Sequence, residues 1–224
     1  MINIGVLGGT FNPIHFGHLR IAEELKEQFP FHKTFLIPAG NPPLKNTELA
    51  DGYHRLRMVE LAIAHNPDFE ALDLEIGLEG KSYSALTVKK LAQRFNNIGN
   101  LFFIIGIDAF LDFHRWFEPE SILSITNIVI ISRPNYLFRA LSSSRYLLGI
   151  PENKLSQLDN GEIDGFEFPL KTGKTVYFYP LLPIGISSSY VRALIRQGRS
   201  VKYLLPEPVE SYIITHNLYD SKQP

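Results

Sequence analysis

The 224-residue chain has no cysteine, which removes thiolate nucleophiles, disulfide staples and cysteine-ligated zinc or iron–sulfur centres and fits a reducing compartment. An excess of either charge is also missing. Lys and Arg total 22 against 23 Asp and Glu, a formal net charge of -1, so nothing draws the whole chain to nucleic acid or to an anionic membrane. A local cationic pocket is still allowed, because pocket fields depend on placement rather than on the sum. Long hydrophobic runs are absent too: Leu101 to Ile107 and Ile128 to Ile131 are far too short to cross a bilayer, and MINIGVLGG carries no basic leader. A cytoplasmic protein is expected. Neither the dinucleotide spacing G-x-G-x-x-G nor the P-loop spacing G-x-x-x-x-G-K-[ST] occurs.

What is present is enough apolar residue, 45% of the chain, to bury one sizeable core. Ile2 to Leu7 is a nearly all-apolar run ending at Gly8-Gly9, as suits a buried parallel strand that stops in a tight turn. His18 to Phe29 carries Leu19, Ala22, Leu25 and Phe29 on one helical face. The alternation continues: strands are predicted at Thr34 to Ile37, Phe69 to Ile76, Leu101 to Ile105, Ile125 to Ile131 and Val176 to Tyr179. Helices are predicted at Tyr53 to His65 from Leu56, Val59 and Ile63, at Leu86 to Phe95, at about Tyr190 to Gln197 and at Pro206 to His216. The pattern implies an α/β, doubly wound, mostly parallel sheet with helices on both faces. A single domain over 1–224 is expected, with a C-terminal helical part at about 187–219. Pro134 to Leu148 reads as helical after its proline and Pro151 to Thr175 as loops, so about 135–175 is expected to be a lid or insert.

Ligands in open parallel sheets collect beyond the carboxyl ends of strands, and Gly8 and Gly9 sit at such an end. Without a Cβ they would let the backbone turn sharply and approach a phosphate with exposed amides. Pro13 would stiffen the loop before the helix. His15 and His18, three positions apart on or near a first helical turn, can face one anion. Zinc is the rival ligand for that pair, but no H-E-x-x-H and no carboxylate at a recognisable spacing accompanies it. No metal-ligating set is therefore assigned.

The run His15-Phe16-Gly17-His18 resembles the signature of the H-x-G-H nucleotidyltransferase superfamily, and the full GGTFNPIHFGH string looks like that of the bacterial nicotinate-nucleotide adenylyltransferases. Phe103-Ile104-Ile105-Gly106-Ile107-Asp108 with Phe113, Trp116 and Pro119-Glu120 is similar to that family's F-I-I-G-x-D, F-x-x-W and P-E run. So are Ser132-Arg133-Pro134, Ile186-Ser187-Ser188-Ser189 with Arg192, and the closing Tyr212-Ile213 to Leu218-Tyr219. Together these cover nearly the whole chain outside the middle excursion. The resemblance implies attack of a mononucleotide 5'-phosphate on the α-phosphorus of ATP, on a Rossmann-like sheet, with nicotinate mononucleotide as the second substrate and Mg²⁺ accompanying ATP.

The same resemblance implies roles for individual residues. His15, His18 and Arg192 would contact the ATP phosphates, within a loop of Gly8, Gly9, Thr10 and Phe11. Ile186, Ser187 and Ser188 would form a second wall, with Ser188 or Ser189 capping the helix that follows. Gly106 and Asp108 would help hold the adenosine portion, and Arg133 can reach an anionic group at another strand end. Trp116 would stack on the pyridine ring, and Tyr83 and Thr87 would contact that ring and its carboxylate. Lys45 belongs to this mononucleotide side. Two departures fall there: the family's P-P-H-K is Pro42-Pro43-Leu44-Lys45, and its S-Y-T-x-D-T is Ser82-Tyr83-Ser84-Ala85-Leu86-Thr87. They leave nicotinamide mononucleotide open as an acceptor. Phosphopantetheine is disfavoured by Trp116 and Thr87, a non-catalytic nucleotide-binding regulator by the intact His15, His18 and Arg192. A homo-oligomer stays open.

Overall fold

The computed structural model describes residues 2–42, 49–95, 99–182 and 184–220. In chain order the elements are β1 (Ile2–Gly9), α1 (Phe16–Gln28), β2 (Phe31–Pro38), α2 (Gly52–Ile63), β3 (Phe69–Ala71), α3 (Ser84–Arg94) and β4 (Gly99–Gly106). They continue as α4 (Ile107–Leu111), α5 (Pro119–Ile125), β5 (Asn127–Ile131), α6 (Glu152–Asp159), β6 (Phe166–Pro169), β7 (Thr175–Tyr179), α7 (Ser188–Arg196) and α8 (Glu207–Thr215), with 3-10 turns at Phe113–Arg115 and Phe138–Ser143. The strands are ordered β3-β2-β1-β4-β5-β7-β6. The pairs β1–β4, β2–β3, β4–β5 and β5–β7 are parallel and β6–β7 is antiparallel. Chain order reverses between β1 and β4, as in doubly wound sheets, whose ligands gather at the carboxyl ends beside such a reversal.

The chain divides into two compact units. One comprises Met1–Leu7 and Tyr83–Pro183, with β1, β4, β5, β7 and β6. Its central strands, Leu101 to Ile105 in β4 and Ile128 to Ile131 in β5, are buried along their length, as near-continuous apolar runs must be when both sheet faces are covered. Helix α3 turns Ala85, Val88 and Leu91 inward and α5 turns Ile122 and Leu123 inward, and the two helices pack together. An ion pair between Lys89 and Glu118 links them at the surface.

The other unit comprises Gly8–Ser82 and Ile184–Pro224. Helix α1 buries Ala22 and Leu25, and α2 buries Arg55, Met58, Val59 and Ile63 against β2, β3 and α8. Leu56, expected on the apolar face of α2, is only half-buried; the position that replaces it in the interior is Arg55.

Several expectations are corrected. The extended stretch from Phe69 keeps only Phe69–Ala71 as strand, because the chain turns at 74–77. Ile125 closes α5 instead of opening β5. In Pro134 to Leu148 the helical part is the 3-10 turn Phe138–Ser143. Pro151 to Thr175 is not all loop: it holds α6 and the antiparallel edge strand β6. Two leucines three positions apart, Leu155 and Leu158, are buried from α6 together with Phe138 and Leu141 of the turn. Tertiary burial, not local propensity, makes this short polar helix.

Asp159 joins the two pieces. Its carboxylate accepts from the Phe138 amide at 2.6 Å and the Arg139 amide at 3.0 Å, supplying partners that the start of the turn cannot find within itself. Asp159→Ala is expected to lower unfolding stability by about 1–3 kcal/mol, read as a denaturant midpoint shift at constant slope, because two amides lose a charged acceptor. An unchanged midpoint would mean that this segment does not pack as described.

Candidate functional site

The first loop begins where β1 ends, and its turn is not made by glycine. Gly8 and Gly9 are the last residues of the strand, whereas the left-handed backbone falls on Phe11, with φ 46°. The Asn12-Pro13 peptide that follows is cis. Gly9 is needed for close approach, since a Cβ there would lie 2.8 Å from the Phe11 ring. A Cβ on Gly8 would meet nothing within 4 Å, which leaves exposed open space above that backbone. The Phe11 side chain is 1% exposed and sets its edge against His18, with ring centroids 5.0 Å apart. Its side chain therefore supports the loop from inside, while its backbone belongs to the loop as expected.

His15 stands at the N-cap of α1 and His18 one turn on, with rings stacked at a centroid separation of 3.8 Å. The His15 backbone amide donates to His18 Nδ1 at 3.3 Å. A backbone N–H can only donate, so His18 Nδ1 is the acceptor and Nε2 carries the hydrogen. The hydrogen of the His18 ring is thus on Nε2, the donor nitrogen. Gly17 makes room for the pair: a Cβ there would approach His15 Cε1 and Nδ1 to 3.0 Å. The glycine between the two histidines is required by the imidazole in front of it.

The loop is held by its carbonyls. Thr10 O accepts from Arg55 at 2.9 Å, Asn12 O from Arg192 at 2.7 Å and Pro13 O from the Ser188 hydroxyl at 2.9 Å. Because C=O and N–H of a trans peptide point in opposite directions, anchoring the Thr10 carbonyl turns the Phe11 amide the other way. Arg55 is 1% exposed and also donates to Ala39 O, Gly40 O and Ala50 O. Burial pushes its pKa down, opposed by electrostatic interaction with Tyr219, Asp51 and Glu75, yet a guanidinium remains protonated. Asn12 Oδ1 accepts from Ala50 N at 3.1 Å and from the Tyr219 hydroxyl at 2.9 Å. Burial pushes the Tyr219 phenol well above its ordinary range, with Arg192 and Arg55 acting in the opposite direction.

Helix α7 supplies the second wall. Ser187, not Ser188 or Ser189, is its N-cap, accepting from Tyr190 N at 3.2 Å, while the Ser188 hydroxyl is committed to Pro13. Arg192, one turn into α7, reaches Ser189 Oγ at 3.4 Å, and its buried Nε has no hydrogen-bond partner among the described residues. Ile186 O lies 3.6 Å from where a Gly17 Cβ would stand, so the I-S-S-S run borders the histidine pair. One unit thus gathers Gly8, Gly9, Thr10, His15, His18, Ile186, Ser187, Ser188 and Arg192. Their donors are imidazole, guanidinium, hydroxyl and first-turn amides, a set suited to a polyphosphate.

The remaining residues belong to the other unit. Arg133 Nε lies 3.6 Å from Asp108 Oδ1, and Gly106 is the residue whose Cβ would collide with both side chains. Trp116 is half-buried, against Phe113 at 5.2 Å and edge-on to Phe103 at 6.2 Å. The Tyr83 ring lies 4.7 Å from that of Phe117 at the start of α3. Thr87 is buried and its hydroxyl donates to Tyr83 O at 3.4 Å, within the first turn of α3. Lys45 and Leu44 lie outside the described residues.

Sequence reading passed over Arg55, Asn12 and Tyr219 as loop-holding residues. An arginine within the apolar face of α2 was the available signal for the first; the other two carried none beyond their motifs. Gly17→Ala tests the histidine geometry directly. Alanine favours a helix, so fold stability is expected to hold while affinity for inorganic tripolyphosphate, measured by calorimetry, falls by roughly tenfold as the His15 ring shifts. Equal affinity would refute the clearance argument.

A sequence profile of the cytidylyltransferase-like family matches residues 6–194. The chain is 42% identical over 216 residues to a protein of Geobacter metallireducens named "Probable nicotinate-nucleotide adenylyltransferase", covering 96% of this chain and 97% of the relative. A Geobacter sulfurreducens protein of the same name is 38% identical with the same coverage. In fold it is similar to Plasmodium falciparum nicotinic acid mononucleotide adenylyltransferase complexed with NaAD, at TM-score 0.72, 20% identity and 98% coverage of both chains. The structure of that enzyme complexed with APC superposes at TM-score 0.70, with the same identity and coverage. The chain belongs to the cytidylyltransferase-like family, within its nicotinate-nucleotide adenylyltransferase branch.

Proposed function

We propose that the protein transfers the adenylyl group of ATP to nicotinate mononucleotide, giving nicotinate adenine dinucleotide and pyrophosphate in NAD biosynthesis. The observation that carries this reading is the donor cluster of one unit: His18 Nε2–H, Arg192 and the N-terminus of α7 beside a loop whose Thr10, Asn12 and Pro13 carbonyls are tied back. A mononucleotide phosphate oxygen forms a bond to the α-phosphorus while the bond from that phosphorus to the bridging oxygen breaks, and the electron pair leaves on pyrophosphate. A phosphate monoester is nucleophilic enough near neutral pH that no serine, cysteine or general base is required. The protein's work is to align two anions and to neutralise charge on the leaving group.

His18 and Arg192 are the catalytic residues of this reading, with His15 stacked beside His18 and the α7 amides facing the outer phosphates. Mg²⁺ would accompany ATP as part of the substrate and neutralise phosphate charge; the donors around the loop are cationic or neutral, which suits the phosphates rather than the metal. On the acceptor side, α3 has no side-chain cap at Tyr83, and of its first-turn amides the Leu86 N–H donates to Tyr83 O, so those of Ser84 and Ala85 are the ones offered to a carboxylate, with Trp116 for the pyridine ring. That feature favours nicotinate over the uncharged carboxamide, despite Leu86, which is 44% exposed where the family has an acid. Asp108 and Gly106 are assigned to the adenosine portion and Arg133 to an anionic group. The reading carries a cytoplasmic location with it; no helix among the described residues is long and apolar enough to cross a membrane.

With MgATP fixed, kcat/KM for nicotinate mononucleotide is expected to exceed that for nicotinamide mononucleotide, measured as dinucleotide and pyrophosphate formed. The reverse order would keep the reaction and change the substrate; turnover of neither would sink the assignment. His18→Ala is expected to lower kcat by roughly tenfold or more, as loss of a donor aimed at developing charge does, and unchanged kcat and KM would refute its role.

A further inference from the structure

We infer that Tyr219, in the segment after α8, is a positioning residue for the phosphate loop, acting through the carboxamide of Asn12. The chain is bent to deliver it. Asn217 and Tyr219 both take left-handed backbone, at φ 49° and 67°; asparagine adopts it readily just past a helix end, whereas for a tyrosine it is uncommon. Between them Leu218 is buried, and its amide donates to Ile213 O at 3.0 Å, closing α8. The bend brings the Tyr219 hydroxyl to 2.9 Å from Asn12 Oδ1.

The donor and acceptor roles follow from the second bond to the same oxygen. Ala50 N–H, which can only donate, reaches it at 3.1 Å, so the Asn12 atom is oxygen and the phenol must donate as well. Burial, which keeps the phenol protonated, agrees with that role. Asn12 is thus fixed through its side chain by Tyr219 and Ala50 and through its carbonyl by Arg192, one of the two cations bordering the phenol; Arg55 is the other. A phenylalanine would fill the same space. What the hydroxyl adds is the orientation of the peptide between Phe11 and His15, and with it the histidine pair.

This inference rests on ATP being the ligand of the loop, so ATP is the probe. Calorimetric titration of wild type, Tyr219→Phe, Asn12→Ala and the double variant with MgATP, without acceptor, separates the possibilities. Tyr219→Phe is expected to weaken ATP binding about threefold to tenfold, the range of one net hydrogen bond, and to lower kcat/KM for ATP by the same factor. KM for the mononucleotide should move by less than about twofold, a split that a general loss of folded protein would not produce. In the Asn12→Ala background the tyrosine change should add nothing; in an Asn12→Asp background, which keeps an oxygen acceptor, the full effect should persist. Unchanged ATP affinity in Tyr219→Phe, or additive effects in the double variant with Asn12→Ala, would overturn the inference. If wild type bound ATP but used neither mononucleotide, the proposed reaction would fall while the affinity ratio still decided the role of Tyr219.

Discussion

A guanidinium buried inside the second unit, satisfied by carbonyls alone, is the constraint on which the candidate site depends. Arg55 donates to Thr10 O in the first loop, to Ala39 O and Gly40 O after β2 and to Ala50 O before α2. No carboxylate among the described residues pairs with it. A buried cation is costly unless its donors are all used, and here each bond fixes a stretch of backbone that has no regular partner. The arginine therefore does the work of a strand pairing at the place where pairing must stop to leave room for a ligand. Methionine could fill its volume but would strand the carbonyls.

With the carbonyls drawn inward, the opposite side of the loop is left to amides and to the histidines. The fold extends this division outward. Arg192 and Ser188 of α7 hold Asn12 O and Pro13 O, while the Arg192 Nε has no hydrogen-bond partner among the described residues. Phe11 and Gly9 interlock beneath, and Gly17 opens the space that the His15 ring fills. The resulting donors are fixed before any ligand arrives, which is what a reaction governed by alignment and charge neutralisation requires.

The parts legible in the sequence were those that local patterns encode. The apolar runs of β1, β4 and β5 announced buried parallel strands, and His15, His18 and the serine-rich run before α7 announced an anion site. The parts not legible depend on distant partners. Helix α6 has two buried leucines and a carboxylate that caps a turn about twenty positions away in the chain, so it resembled a loop. Gly8 and Gly9 suggested a glycine turn, but the left-handed residue is Phe11, stabilised by its own buried ring. Arg55 drew no expectation from the sequence, and α2 turns it inward. For α6 and Arg55 the missing information was a tertiary hydrogen bond and for Phe11 the burial of its ring, neither of which leaves a periodicity in the sequence.

The central claim is that the first loop and α7 cradle the outer phosphates of ATP while the α-phosphorus is attacked. Turnover with ATP labelled separately at the α and γ phosphates, in the presence of nicotinate mononucleotide, tests it most directly. The account predicts all α label in the dinucleotide and all γ label in pyrophosphate. Label from the γ position in a phosphorylated mononucleotide, with ADP as the second product, would contradict it.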